Sequence, residues 1–317
     1  VGPIATAISD GGAGWPSYAI TTNNAINCAL EALNNAKTSH RDSFVSFSHS
    51  THREKTRQQN IEIADKIVSA LNDNRVKLFY QPIVSANSEQ PALFECLVRI
   101  QDTDGQWVGA GEFIPTAEKL GLMRLIDHRV LDLAVEALIH HPLVRLAMNV
   151  SAATAMDSFW LDHLRSHVQL RPDIANRLTI EITETSMIDD IDDSIQFVKS
   201  LHDLGCKVAI DDFGAGYTSF RNLKLLNADM VKLDGAFVSN LSTDPDNQFF
   251  VKTFIDLAKN FGMATVAEWV ETEQDVSLLK SWQVEFMQGF YYGKPLENLP
   301  DAGIKTAFDE QLKQKIA

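Results

Sequence analysis

The chain has 317 residues, 45% of them hydrophobic, enough for one large domain with an appendage or for two domains. Its formal net charge of −14 excludes a broad basic surface for polymeric DNA or RNA, but not a small phosphorylated ligand held through metal ions. Its 3 cysteines, Cys28, Cys96 and Cys206, have neither metal-ligand spacing nor a disulfide pattern. They fit a reducing, cytoplasmic setting. There is no signal peptide and no apolar run of membrane-spanning length, so no membrane contact is expected from this stretch. The chain opens on Val1 rather than Met and reads as a fragment or a processed form, leaving a missing N-terminal part free to carry an anchor.

In chain order, residues 2–9 read as a strand and 10–16 as a glycine-rich loop. Ala25, Ala29, Leu30, Leu33 and Ala36 mark one face of a helix, and 44–47 reads as a closing strand. About 50 residues make only a marginal independent domain. In 51–74, Ile61, Ala64, Ile67, Val68 and Leu71 share a face, which predicts an amphipathic linker helix.

From Val76 onward strands alternate with helices. Strands are expected at 76–80, 92–98, 144–150, 178–182, 207–210, 230–233, 264–267 and 284–286, with periodic helices at 126–139, 193–204 and 249–261. Eight strands in about 225 residues predict an α/β fold, a TIM-type (β/α)8 barrel. Only the short polar loop 85–90 joins the first two strands, too short for a parallel crossover, so the first strand is expected to be antiparallel.

The stretch 206–234 is the focus of the chemistry. The apolar run 208–210 ends in Asp211 and Asp212, and a Gly-x-Gly loop follows. Taken alone, Asp-Asp reads as an exposed acidic turn. The other strand ends change that reading: Glu95, Asn149, Glu181, Lys232, Glu268 and Gln288 all fall at or near them, with Glu271 just beyond the seventh. In a β/α barrel such ends converge on one mouth, where activity is found. A carboxylate cluster of this size would repel itself or shift its pKa values if empty. Oxygen donors without His or Cys suit Mg²⁺ or Mn²⁺, and adjacent acids suit two ions sharing one carboxylate.

The second part of the chain resembles the EAL-domain family of cyclic di-GMP phosphodiesterases. The motifs that carry the resemblance are Tyr80-Gln81-Pro82-Ile83, Glu95-Cys96-Leu97-Val98-Arg99, Phe113-Ile114-Pro115-x-Ala117-Glu118, Asn149-Val150-Ser151, Glu181-Ile182-Thr183-Glu184, Asp211-Asp212-Phe213-Gly214-Ala215-Gly216-Tyr217-Thr218-Ser219, Lys232-Leu233-Asp234, Ala267-Glu268-Trp269-Val270-Glu271 and Gln288-Gly289-Phe290-Tyr291. Residues 25–47 resemble the last helix and strand of a GGDEF (diguanylate cyclase) domain, without its nucleotide-synthesising part. The domains expected are thus a GGDEF-like remnant at 1–50, a linker helix at 51–74 and the EAL barrel at 75–317.

The resemblance implies hydrolysis of cyclic di-GMP to linear pGpG by in-line water attack with two Mg²⁺ or Mn²⁺ ions. Glu95, Asn149, Glu181 and Asp211 would hold the first ion. Asp211 would bridge to the second, completed by Asp212 and Glu268. Lys232 would orient water or offset phosphoryl charge, and Glu184 would anchor the loop 213–219. Gln81, Leu97, Arg99, Glu271 and Gln288 would contact or support the substrate, with Pro115 and Phe290 on an apolar rim. A homodimer is the family habit.

Three positions depart from the family pattern: Cys96 for the usual Ala, Ile100 for a common Trp, and Trp269 for a frequent Gly. Cys96 points away from Glu95 along the strand and is expected in the core. Two rival readings stand beside the hydrolase: a silent cyclic di-GMP receptor, and a lyase with Lys232 as a Schiff base.

Overall fold

The computed structural model describes residues 51–188, 191–214 and 220–300. The elements expected within 2–47 lie outside the described residues. The chain divides into two compact units, Val1–Glu62 and Ile63–Ala317. In the first, the described residues belong to the start of helix α1 (Thr51–Asn72). In the second, the rest of α1 packs Ile67 and Ala70 into the core, with Ile63 and Leu71 against it. The buried face is therefore rotated from the expected one, and Ile61 and Val68 are exposed.

A 9-stranded sheet organises the second unit. Its strands are β1 (Val76–Ser85), β2 (Pro91–Gln101), β3 (Trp107–Gly109), β4 (Leu146–Asn149), β5 (Leu178–Thr183), β6 (Lys207–Phe213), β7 (Met230–Leu233), β8 (Ala264–Ala267) and β9 (Phe286–Gln288). The order is β1-β9-β8-β7-β6-β5-β4-β2-β3, and pairing of β1 with β2 closes the barrel. β1 runs antiparallel to both neighbours, as the short connecting loop predicts. Eight strands form the closed barrel, and β3 is an unexpected addition pairing antiparallel with β2. Three residues are too few to display a period of two, so β3 leaves no periodic signal in the sequence.

The main helices are α2 (Ala110–Lys119), α3 (Met123–His140), α4 (Ser158–Leu170), α5 (Ile191–Leu204), α6 (Phe220–Leu226), α7 (Pro245–Asn260) and α8 (Glu273–Ser281). Their starts follow local chemistry. Asp157 caps α4, Asp244 caps α7 with Pro245 in its first turn, and Thr272 caps α8. The cap at Asp244 explains why α7 begins before the apolar periodicity that predicts it at 249. In α3, Ile126, Val130, Leu131, Ala134 and Leu138 form the buried stripe.

Two apolar layers result. The larger core lies between strands and helices and includes Trp160, Phe197, Val208 and Ile255. A separate cluster comes only from the strands: Ile83, Ala92, Leu93, Ala147, Ala209, Met230, Ala264, Val266 and Phe286. These residues fill the barrel interior, small alanines set against Phe286, Met230 and Leu93. Cys96, one residue from inward-facing Glu95, faces the outer core as expected. Cys96 and Cys206 are buried and free. Among the described residues no helix is long and apolar enough to cross a membrane.

Candidate active site and metal centre

The barrel interior fixes the site through the period of the strands. Leu93, Ala147, Thr179, Ala209, Met230, Val266 and Phe286 are all buried. Two positions further along each strand come Glu95, Asn149, Glu181, Asp211, Lys232, Glu268 and Gln288, which therefore share the inward face. β1 runs the other way, so Gln81 precedes inward Ile83 and pairs across from Glu95. Asn149 likewise sits opposite Glu181.

Asp212 breaks this alternation, because the residue after an inward Asp211 belongs on the outer face. The β6–β7 register shifts between Ile210 and Phe213, and Asp212 has a φ of 53°. This local irregularity re-aims the side chain, as bulges near active sites do. One oxygen each from Asp211, Asp212 and Glu268 then fall within 4.8 Å of one another. Glu95, Glu181 and Asp211 form a second such triad within the same limit. Asp211 belongs to both.

Lys232 stands inside the cluster, 1% exposed. Its Nζ lies 2.8 Å from Glu268, 3.0 Å from Asp211, 3.0 Å from Glu181 and 3.7 Å from Glu95. Burial lowers its pKa, but the surrounding carboxylates Asp211, Glu181, Glu268 and Glu95 win and raise it well above the ordinary lysine value. A Schiff-base lysine must shed its proton, and these neighbours oppose that.

One ammonium does not neutralise the cluster. Burial raises the Glu181 carboxyl well above the usual range; Lys232 opposes this, while Glu95 and Asp211 add to it. Burial, then Asp211 and Glu95, push Glu268 up to about 8 against the pull of Lys232. Burial and the neighbouring Asp211 and Asp234 push Asp212 up to about 6. The fit to a cation is most direct at Glu181. Its Oε2 accepts from Lys232, whereas its fully buried Oε1 has no hydrogen-bond partner among the described residues. An octahedral ion with bonds of about 2.0–2.1 Å takes ligand oxygens about 3–4 Å apart, so the oxygen triads suit a hard divalent cation.

The remaining expected residues divide into two groups. Asn149 Nδ2 donates to Glu95 Oε1 at 2.9 Å, and Gln288 Nε2 donates to Glu95 Oε2 at 2.5 Å and to Gln81 Oε1 at 3.3 Å. Buried Glu184 accepts from Gly214 N at 2.8 Å, directly after β6. Residues 215–219 of that loop lie outside the described residues. Arg99 donates to Val98 O at 2.9 Å and lies over the Phe79 ring, and Leu97 is half-buried. Glu271 is exposed, and no hydrogen bond or ion pair joins it to the cluster among the described residues. A groove of about 540 Å³ beside β1 and α3 contains none of the acidic cluster.

Two further residues shape the mouth. Asp127 on α3 accepts from Ser151 N at 3.1 Å and Oγ at 2.6 Å, fixing the turn just after Asn149. An acid on the buried face of an apolar helix was its sequence signal. Gly235 is the other. Trp269, beside Glu268, has a φ of 52°, and a Cβ built on Gly235 would lie 2.2 Å from its ring. A glycine would suit that backbone at 269, and Gly235 leaves the room that the Trp269 indole fills.

Two outcomes follow from this geometry. Lys232→Met leaves buried carboxylates without their cation, so the metal-free protein should lose about 3–5 kcal/mol. Added Mg²⁺ should restore part of that in thermal melts; an unchanged melting temperature would contradict the buried-charge account. Gly235→Ala should destabilise the parent but cost much less in a Trp269→Gly background, where the indole is gone. Urea unfolding of the four variants in a double-mutant cycle reads the coupling, and strictly additive effects would refute the contact.

The family model described as EAL domain matches residues 64–295. The cyclic di-GMP phosphodiesterase PdeB of Shewanella oneidensis is 31% identical over 270 residues, covering 83% of this chain and 31% of that protein. The cyclic di-GMP phosphodiesterase NbdA of Pseudomonas aeruginosa is 30% identical over 243 residues, covering 75% of this chain and 31% of that protein. The chain thus spans about 31% of the length of these curated relatives. Among solved structures, the PaMucR phosphodiesterase in complex with c-di-GMP is 30% identical with a TM-score of 0.70, covering 74% of this chain and 97% of that one. The FimX EAL domain of Pseudomonas aeruginosa, bound to c-di-GMP, is 25% identical with a TM-score of 0.70, covering 78% and 99%. With the EAL domain model matching residues 64–295 and the barrel shared with these solved structures, the chain belongs to the EAL domain family.

Proposed function

We propose that this chain is a divalent-metal-dependent phosphodiesterase that opens cyclic di-GMP to linear pGpG. The observation that carries this reading is the unpartnered, fully buried Glu181 oxygen within an all-oxygen donor set that shares Asp211 between two triads. The names of the relatives supply the substrate: PdeB and NbdA are cyclic di-GMP phosphodiesterases, and the matched PaMucR structure holds c-di-GMP.

In this reading Glu95, Asn149, Glu181 and Asp211 hold one Mg²⁺ or Mn²⁺, and Asp211, Asp212 and Glu268 hold the other. When bound, such a pair supplies Lewis-acid stabilisation to both oxygens of an in-line displacement at phosphorus. Asn149 offers its Oδ1, because its Nδ2 is committed to Glu95. Lys232 keeps its ammonium among the carboxylates and offsets charge on the phosphoryl group or on water. Gln288 and Gln81 steady Glu95 from the β1–β9 side and reach the substrate together with Arg99, Leu97 and Glu271. Glu184 ties down the start of the loop 213–219 through Gly214 N. The protein acts in the cytoplasm as a homodimer, with 1–50 a GGDEF-like remnant, 51–74 a linker helix and 75–317 the catalytic barrel.

The test is product analysis with purified protein and cyclic di-GMP. Linear dinucleotide should form with Mg²⁺ or Mn²⁺ and cease after chelation, while Ca²⁺ should serve poorly because it prefers looser, higher coordination. Tight binding without turnover in Mg²⁺ and Mn²⁺ would replace the enzyme with a receptor. Glu184→Ala should lower turnover by up to about 10²-fold while moving affinity far less, since a misplaced loop costs alignment rather than contact. An equal loss in both would contradict the tether. Lys232→Ala should cost about 10²–10³ in turnover.

A further inference from the structure

A second cluster of metal-ligating side chains lies on the helical layer, between α3 and α4. His163 and His167 are four residues apart on α4 and so share one face of that helix. Asp132 of α3 meets them. Its Oδ1 lies 3.0 Å from His163 Nε2 and 3.4 Å from His167 Nε2, and the two ring nitrogens are 3.2 Å apart. None of these residues belongs to the acidic mouth.

The three atoms form a nearly equilateral triangle. A tetrahedral ion with bonds of about 2.0–2.1 Å sets its ligand atoms about 3.3–3.4 Å apart. Two imidazoles and one carboxylate are also a familiar donor set for such an ion. All three side chains are partly exposed, at 29%, 27% and 42%, which leaves a fourth position open to water.

The surroundings of His163 supply an independent argument. Its other nitrogen, Nδ1, lies 3.0 Å from Nδ1 of His128 on α3, with the two rings stacked. A neutral imidazole carries only one N–H. If His163 donates Nδ1–H to His128, its Nε2 presents a lone pair to Asp132 and His167, both of which can also act as acceptors. With His167 in its Nδ1–H tautomer, Asp132 and both Nε2 atoms are three acceptors facing one another, and a cation at their centre satisfies them. The relay continues outward, because His128 Nε2 faces Asp157 Oδ2 at 3.9 Å. Metal-binding histidines are commonly oriented in this way, through the nitrogen that does not bind.

We propose that Asp132, His163 and His167 form a transition-metal site of the Zn²⁺ class that clips α4 to α3, with His128 as the positioning residue behind His163. It is separate in chemistry from the mouth: imidazole selects Zn²⁺ or Co²⁺ over Mg²⁺, whereas the mouth is all oxygen.

The test is titration of Zn²⁺, and separately of Co²⁺, into chelator-stripped protein held in excess Mg²⁺ to occupy the mouth. The parent should bind one equivalent calorimetrically, show visible Co²⁺ absorption bands and gain melting temperature with Zn²⁺. His163→Gln and Asp132→Asn should each abolish all three signals. His128→Phe should weaken binding by about 10–100-fold without removing it. Glu181→Gln, at the mouth, should leave the signals in place. These side chains are partly exposed, and melting curves without Zn²⁺ check that each variant folds; His167→Gln replaces any that does not. Absence of Zn²⁺ binding by the parent, equal binding by parent and His163→Gln, or loss of binding in Glu181→Gln would overturn the proposal.

Discussion

The architecture of the site depends on an excess of buried negative charge. Glu95, Glu181, Asp211 and Glu268 all face one ammonium inside a barrel mouth. At a protein-like dielectric, two like charges about 4 Å apart repel by about 4 kcal/mol. Lys232 offsets part of this repulsion, while burial first and the neighbouring carboxylates second raise the pKa values of Glu181, Glu268 and Asp212. Further positive charge relieves such a cluster, and that is the part the proposed divalent ions would play. In the proposed reading, the same ammonium that steadies the carboxylates also offsets charge on the anionic substrate.

The fold makes this concentration of charge possible by separating two jobs along each strand. One residue fills the barrel interior and the next inward residue carries chemistry. Ala209 and Asp211, or Met230 and Lys232, show the division. The interior layer is buried, and most of the polar layer above it is positioned by the strands themselves. Where the division fails, the backbone departs from regularity. The register slip at β6 brings Asp212 to the mouth beside Asp211. Trp269 sits in a left-handed backbone conformation, tolerated because Gly235 has no side chain to meet it.

Most of this was legible in the sequence because the relevant signal has a period. Met230–Leu233 and Ala264–Ala267 match the expected strands, and the antiparallel start followed from one short loop. Glu181, Asp211 and Glu268 were legible as acids ending apolar runs, Glu95 and Lys232 as charges within them, and they converge. What was not legible is what depends on position rather than pattern. β3 is too short to show alternation, and the buried face of α1 is rotated from the expected one, exposing Ile61 and Val68. Asp212 looked like a simple partner of Asp211, although only a backbone irregularity lets both point inward. The pairing of Gly235 with Trp269, and that of Asp132 with His163 and His167, join residues far apart in the chain and required coordinates.

The most direct test of the central claim is to count and locate ions at the mouth. Anomalous diffraction from crystals grown with Mn²⁺ and cyclic di-GMP should show two peaks. One should lie among Glu95, Asn149, Glu181 and Asp211, and the other among Asp211, Asp212 and Glu268. A mouth with no Mn²⁺ peak, or with cyclic di-GMP bound away from these carboxylates, would contradict the account.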